Sequence, residues 1–148
     1  MNFYKHFIGD YARDTGHLTL VEHGVYRLML DHFYGTCRPL HSDKKALYRL
    51  LRAENEAERK AVDSISLCFW RPVPEDVETI YAWLDLHTDD EQLRFRKVAV
   101  DWEECGGLVN VRALGEIVKA AAIAEKNRVI AIAREAKKRA PLHHGGNS

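Results

Sequence analysis

Residues 42–70, SDKKALYRLLRAENEAERKAVDSISLCFW, decide the fold class. Ser42 is a natural cap for a helix over 43–51, with Ala46, Leu47, Leu50 and Leu51 turned inward. A short break near Arg52-Ala53 precedes a second helix running to about Phe69. Its inward stripe would be Ala57, Ala61, Ile65, Cys68 and Phe69. Two helices joined by so short a turn outline a helix-turn-helix, although helical hairpins with no role on DNA share that outline.

Upstream, Thr19-Leu-Val-Glu22 fits a capping box, in which the Thr oxygen and the Glu carboxylate satisfy two free backbone N–H groups. Val21, Val25, Met29 and Phe33 follow at i+4 spacing as a core-facing stripe. Gly35 reads as the stop and Pro39 prevents early resumption. Residues 1–18, with Phe3, Tyr4, Phe7, Ile8 and Tyr11, read as a short strand or extended arm.

Downstream, Arg71-Pro72-Val73-Pro74 breaks the chain. Glu75, Asp76 and Glu78 then suit the positive end of a new helix, which would bury Val77, Ile80, Tyr81 and Leu84. Residues 92–102 (QLRFRKVAVDW) alternate at Leu93 and Phe95 like a strand. EECGG supplies a turn and LVNVRA (108–113) a return strand, a β-hairpin. Three helices followed by a hairpin describe a winged helix. The expected class is therefore mainly α (α+β), a winged helix-turn-helix.

From Leu114 to Arg139 the chain is rich in Ala, Glu, Lys and Arg and should form one long helix. Val118, Ala122, Val129, Ile132 and Ala136 hold approximate 4/3 spacing, interrupted by Glu125. They form either a self-association seam or an amphipathic face that docks on the domain. Residues 141–148 should be a disordered tail. The expected organisation is a winged-helix-like domain over 1–113 and a basic helix over 114–140.

At 148 residues the chain is one ordinary domain in size. Lys+Arg and Asp+Glu both total 22, which excludes a globally basic nucleic-acid binder. The balance is uneven along the chain: +2 over 1–74, −7 over 75–106 and +5 over 107–148. Three cysteines (Cys37, Cys68, Cys105) without a CxxC pair fit a reducing compartment, and no apolar run is long enough to cross a membrane. A cytoplasmic protein is expected.

No catalytic class emerges. The eight histidines form no metal-ligand pattern, and no phosphate-cradling glycine loop is present. The run Asp89-Asp90-Glu91 reads as a solvated loop. Neither enzyme activity nor a cofactor or metal is expected. DNA binding rests on cations that meet phosphates. The candidates are Lys44, Lys45, Arg49 and Arg52 on and after the first helix of the pair, and Arg59 and Lys60 on the second. Arg94, Arg96, Lys97 and Arg112 come from the expected wing. Lys126, Arg128, Arg134, Lys137, Lys138 and Arg139 come from the terminal helix, where clustering is densest. Glu56 and Asp63 on the outward face of the second helix count against deep insertion into the major groove.

Gly9, Asp10, Tyr11, Asp14, Thr15, His17, Leu18, Glu22, His23, Gly24, Tyr26, Pro39, Leu40 and the 46–69 run carry a resemblance. The chain is similar there to a phage and prophage family of unknown function typified by YdaU-like proteins. Residues 107–139 resemble that family's wing strand and Ala/Lys/Arg-rich helix more weakly. The resemblance implies a likeness to the N-terminal winged-helix domains of phage replisome organisers. It implies a role at a phage origin, binding double-stranded DNA or recruiting host replication proteins. Two departures stand out. Residues 71–97 look like an acidic insertion, and Leu108–Arg112 lacks most of the wing's positive charge. A helical adaptor that binds a protein partner is the competing expectation, and self-association through the terminal helix fits either.

Overall fold

The computed structural model describes residues 13, 15–100, 102 and 106–140. Six helices and two short strands make up these residues. α1 (Leu20–Thr36) begins with the expected capping box: Glu22 N–H donates to Thr19 Oγ1 (3.2 Å), and Thr19 N–H donates to Glu22 Oε1 (3.0 Å). It passes through Gly35 and stops at Cys37, whose left-handed φ of 53° turns the chain. Val25, Met29 and Phe33 are buried as expected, joined by Tyr26, Leu30 and Tyr34, whereas Val21 is exposed.

α2 (Lys44–Leu51) is capped by Asp43 rather than Ser42 and buries Leu47 and Leu51. α3 (Glu56–Phe69) is capped by Asn55 and buries Ala61, Val62 and Ile65, leaving Ala57 and Cys68 exposed. α1 and α3 form the principal helix pair, and α2 rests on both. Trp70 leaves α3 and meets Phe33 edge-on (centroids 5.5 Å, 84°). This contact ties the end of the third helix to the last turn of the first.

β1 (Arg71–Pro72) pairs antiparallel with β2 (Leu108–Val109), in the register Arg71↔Val109 and Pro72↔Leu108. Leu40 bridges Leu108 from the other side, with hydrogen bonds of 2.9 and 2.8 Å. Leu108 is thus the middle of three segments, and Pro72, with no N–H to give, lies on the outer one. Gly107 makes the junction possible: its φ is +113°, and a Cβ there would stand 2.4 Å from Leu40 O.

The expected hairpin between 92–102 and 108–113 is not formed. Residues of its first arm belong to α5 (Asp89–Val98), which follows α4 (Val77–Leu84). Thr88 and Glu91 explain the outcome. Glu91 N–H donates to Thr88 Oγ1 (3.2 Å) and His87 N–H donates to Glu91 Oε2 (3.0 Å). Acidic residues occupy the first turn of α5, and Arg96 and Lys97 the last. The macrodipole is complemented at both ends, and Phe95 is the residue this helix buries. The expected turn falls mainly on 103–105, outside the described residues. The acidic segment runs between the two strands, as an excursion over 73–107.

α6 (Val111–Arg139) starts three residues before the expected position because Asn110 caps it. Ala113, Leu114, Ile117 and Val118 are buried against α1, α4 and α5. Tyr81, Phe95 and Trp102 form an edge-on aromatic chain beneath it, and Trp102 Nε1 donates to Cys37 O (3.1 Å). One continuous core therefore joins the three-helix unit to the excursion. The expected arm (1–18, apart from its last residues) and the tail 141–148 lie outside the described residues.

Candidate nucleic-acid interface

Burial of Leu47 and Leu51 points the opposite side of α2 outward, with Lys45 and Arg49 one helical turn apart on it. The helix ends at Arg52, whose φ of 57° is left-handed. That conformation costs a residue with a Cβ roughly 1–2 kcal/mol. It is held by Arg52 N–H to Arg49 O (3.3 Å) and Ala53 N–H to Tyr48 O (2.9 Å). Asn55 Oδ1 accepts from Glu58 N–H (2.9 Å), and Glu58 Oε1 accepts from Glu54 N–H (3.0 Å). This brings Arg59 against the turn, where its guanidinium donates to Glu54 O (3.3 Å).

The result is an open depression of about 990 Å³ lined by Lys45, Tyr48, Arg49, Arg52 and Arg59, with Ala53 and Glu54. Among the described residues, no carboxylate lies within ion-pair distance of these four cations. Lys44 and Lys60 differ: Lys44 is 3.8 Å from Asp63, and Lys60 is 3.3 Å from Glu56. Asp63 also accepts a 2.5 Å hydrogen bond from Tyr48 Oη, which raises the phenol's pKa above its ordinary value. The outward carboxylate expected to repel phosphate is therefore directed to a tyrosine and a lysine. Ser66 of α3 has its Oγ buried.

The remaining candidates fall elsewhere. Arg94, Arg96 and Lys97 lie on α5, not on a wing. Arg128 donates twice to Glu125 (2.8 and 3.1 Å) and, with Lys97 and Arg94 nearby, holds that carboxyl below its ordinary pKa. Arg94 and Lys97 thus face α6. Arg112 stands at the start of α6, close enough to Tyr34 to act on its titration. Lys126, Arg134, Lys137 and Lys138 are exposed on the far half of α6, and Arg139 pairs with Glu135 (3.1 Å). α6 packs chiefly on α1, α4 and α5, whereas α2 and α3 pack on α1 and each other. The structure gathers one group of the candidates, on α2, the turn and α3.

Sequence reasoning missed Tyr48 and Asn110. Tyr48 sits between Lys45 and Arg49, an aromatic on a cationic turn. Asn110 is buried: its Oδ1 accepts from Ala113 N–H (2.9 Å) and its Nδ2 donates to Phe69 O (2.9 Å). It locks the start of α6 to the end of α3. An Asn before an apolar periodic run was the signal available for it.

What this arrangement offers chemically is a shallow surface with four cations, lined also by Tyr48, suited to phosphate oxygens. Residues 2–71 match a family described as a protein of unknown function (DUF1376). No curated protein and no solved structure matches the chain. The matched span holds α1, α2, α3 and the first residue of β1, so it stops where the acidic excursion departs. The whole cationic depression lies inside it, and α4, α5 and α6 lie outside. Among the described residues, no cluster of His, Cys, Asp or Glu is placed to hold a metal ion, and no helix is long and apolar enough to cross a membrane.

Proposed function

We propose that this chain binds double-stranded DNA, without catalysing a reaction, through α2, the turn and α3. The observation that carries this reading is the set of four cations free of carboxylate partners around one depression. The strand junction supports it. We read the order α1, Leu40, α2, α3, β1, β2, with Leu108 between Leu40 and Pro72, as that of a winged helix whose wing is replaced by the 73–107 excursion. The resemblance to phage and prophage proteins adds the context of replication initiation at a phage origin, in the cytoplasm of a bacterial host.

The exposed face of α3 carries Glu56, Arg59, Lys60 and Leu67, few groups able to read base edges. Phosphate contacts therefore dominate, and affinity should depend on salt more than on sequence. Four such contacts give a log–log slope of about −3.6, so a fourfold rise in salt should weaken binding roughly 150-fold. Gel shifts with random and origin-region duplexes at about 50 and 200 mM salt test this. Arg49→Ala/Arg59→Ala should flatten the slope by about two. Absence of binding at the lower salt overturns the reading.

A second reading has its own observation. Residues 75–91 hold seven carboxylates and no Lys or Arg, four of them on α4 and α5 and the others at the ends of α4. That face suits a basic protein partner, such as a host replication protein. Ile80 and Tyr81 are core residues, so deleting the segment would unfold the body. Glu78→Gln/Asp89→Asn/Asp90→Asn is the suitable variant, and unchanged partner capture by it removes this reading.

A further inference from the structure

We propose that the depression between α2 and α3 seats an unpaired nucleotide, its base on the Tyr48 ring and its neighbouring phosphates on the cations, so that DNA with a single-stranded segment is preferred to intact duplex. This inference rests on the DNA-binding reading above and narrows its ligand. The lining is of two kinds. Lys45, Arg49, Arg52 and Arg59 supply charge, whereas Tyr48 and Ala53 supply carbon. Tyr48 is half-buried, and its hydroxyl donates to Asp63 Oδ1 (2.5 Å), which also lies 3.8 Å from Lys44 Nζ. Neither Asp63 nor Lys44 belongs to the lining. The one polar atom of the Tyr48 side chain is thus engaged elsewhere, and what remains for a ligand is the ring. Ala53, held by its N–H on Tyr48 O (2.9 Å), adds a methyl group.

Cations alone suffice for the phosphates of a duplex, and an aromatic ring adds nothing to them. A ring gains when a flat apolar group covers it, and every base has such a face. In a duplex both faces of a base are covered by its neighbours, so an unpaired base is the one that can be received. Glu54, the one carboxylate in the lining, repels phosphate. It can accept a hydrogen bond from a Watson–Crick N–H group, which pairing otherwise hides. The cations come from two helices. Lys45 and Arg52 lie three residues before and four after Tyr48, spacings that bring helix neighbours onto one face. Arg59 reaches the turn from α3, with its guanidinium on Glu54 O (3.3 Å). A strand carries a phosphate on each side of every base and can use such a set, whereas a free mononucleotide carries phosphate on one side only.

Fluorescence anisotropy of the full chain with three probes tests this. They are an intact duplex, the same duplex with a short tail of unpaired thymidines, and that tail with abasic residues in place of its bases. The abasic tail keeps the phosphates and removes only what stacks. The thymidine-tailed probe should bind roughly 5–150-fold tighter than the abasic one, the range for one base on one aromatic ring. It should also bind tighter than the intact duplex. Tyr48→Leu should bring the two tails together, whereas Tyr48→Phe, which keeps the ring and loses the hydroxyl, should leave them apart. Equal binding of the two tails, or of tailed and intact duplex, by the wild-type chain overturns the proposal without any variant. A folded Tyr48→Leu chain that still prefers the thymidine tail overturns the role of the ring. Failure to bind all three probes overturns the DNA-binding reading itself. Displacement of the tailed probe by free thymidine monophosphate as effectively as by the tail oligonucleotide would assign the depression to single nucleotides, and overturns the strand.

Discussion

The two halves of α6 belong to one unbroken helix and differ in composition and in what the body imposes on them. From Val111 to Val118 the helix is capped by a buried Asn, covered by α1, α4 and α5, and tied to Phe69 through Asn110. Beyond Glu125 an Ala-, Lys- and Arg-rich stretch continues the helix in water with its apolar residues uncovered. Propensity alone holds short helices poorly in water, so the first half is a helix by packing and the second by extension from it. Periodicity reports that a helix has an apolar face, and only tertiary contacts decide where that face is spent.

Substitutions in the two halves separate these cases. Leu114→Ala removes a fully buried side chain and should cost about 3 kcal/mol of unfolding free energy, read by denaturant titration. Asn110→Ala deletes the cap and orphans Phe69 O, with an expected loss of about 2 kcal/mol. Tyr34, packed near Glu116 and Arg112 of the anchored half, has its phenol pushed up to about 12 by burial. Its folded pKa exceeds the unfolded value near 10, so its contribution is complete below pH 10 and is lost as pH rises towards 12. The loss should reach roughly 1 kcal/mol by pH 10.5, and Tyr34→Phe should remove this component of the alkaline transition. Ile132→Ala in the free half should change the stability of the body by less than about 0.5 kcal/mol. A large effect of Ile132→Ala on the isolated body would erase the distinction between the halves.

Much of the helical framework was legible. The Thr19–Glu22 box, the breaks at Arg52 and Pro74, and the long pattern to Arg139 each rest on local chemistry within a few residues. The strand partner of Leu108-Val109 was not. Arg71-Pro72 shows no alternation, and strands of two residues are paired by what surrounds them, here Leu40 and Gly107. At α5, Leu93 and Phe95 suggested a strand while Thr88 and Glu91 held the better signal, since their side chains satisfy the N–H groups of Glu91 and His87 at the helix start, which alternation does not. The cations were legible as residues, and their grouping was not. Arg52 joins Lys45, Arg49 and Arg59 because it adopts a left-handed conformation, whereas Arg94 and Lys97 turn towards α6 because Phe95 turns into the core.

At the neck of the excursion, Val73 N–H donates to Gly107 O across 2.9 Å, so the segment departs and returns through one point. It behaves as a cartridge in a socket. Chains that keep α1 to α3 can exchange what they carry there for stretches of other lengths, at an entropic cost of only about 0.6 kcal/mol per doubling. The constraint on such exchange is α6, which leans on Leu84 and lies above Phe95 and Trp102. Replacement of the cartridge and redesign of the anchored half of that helix should therefore have to occur together.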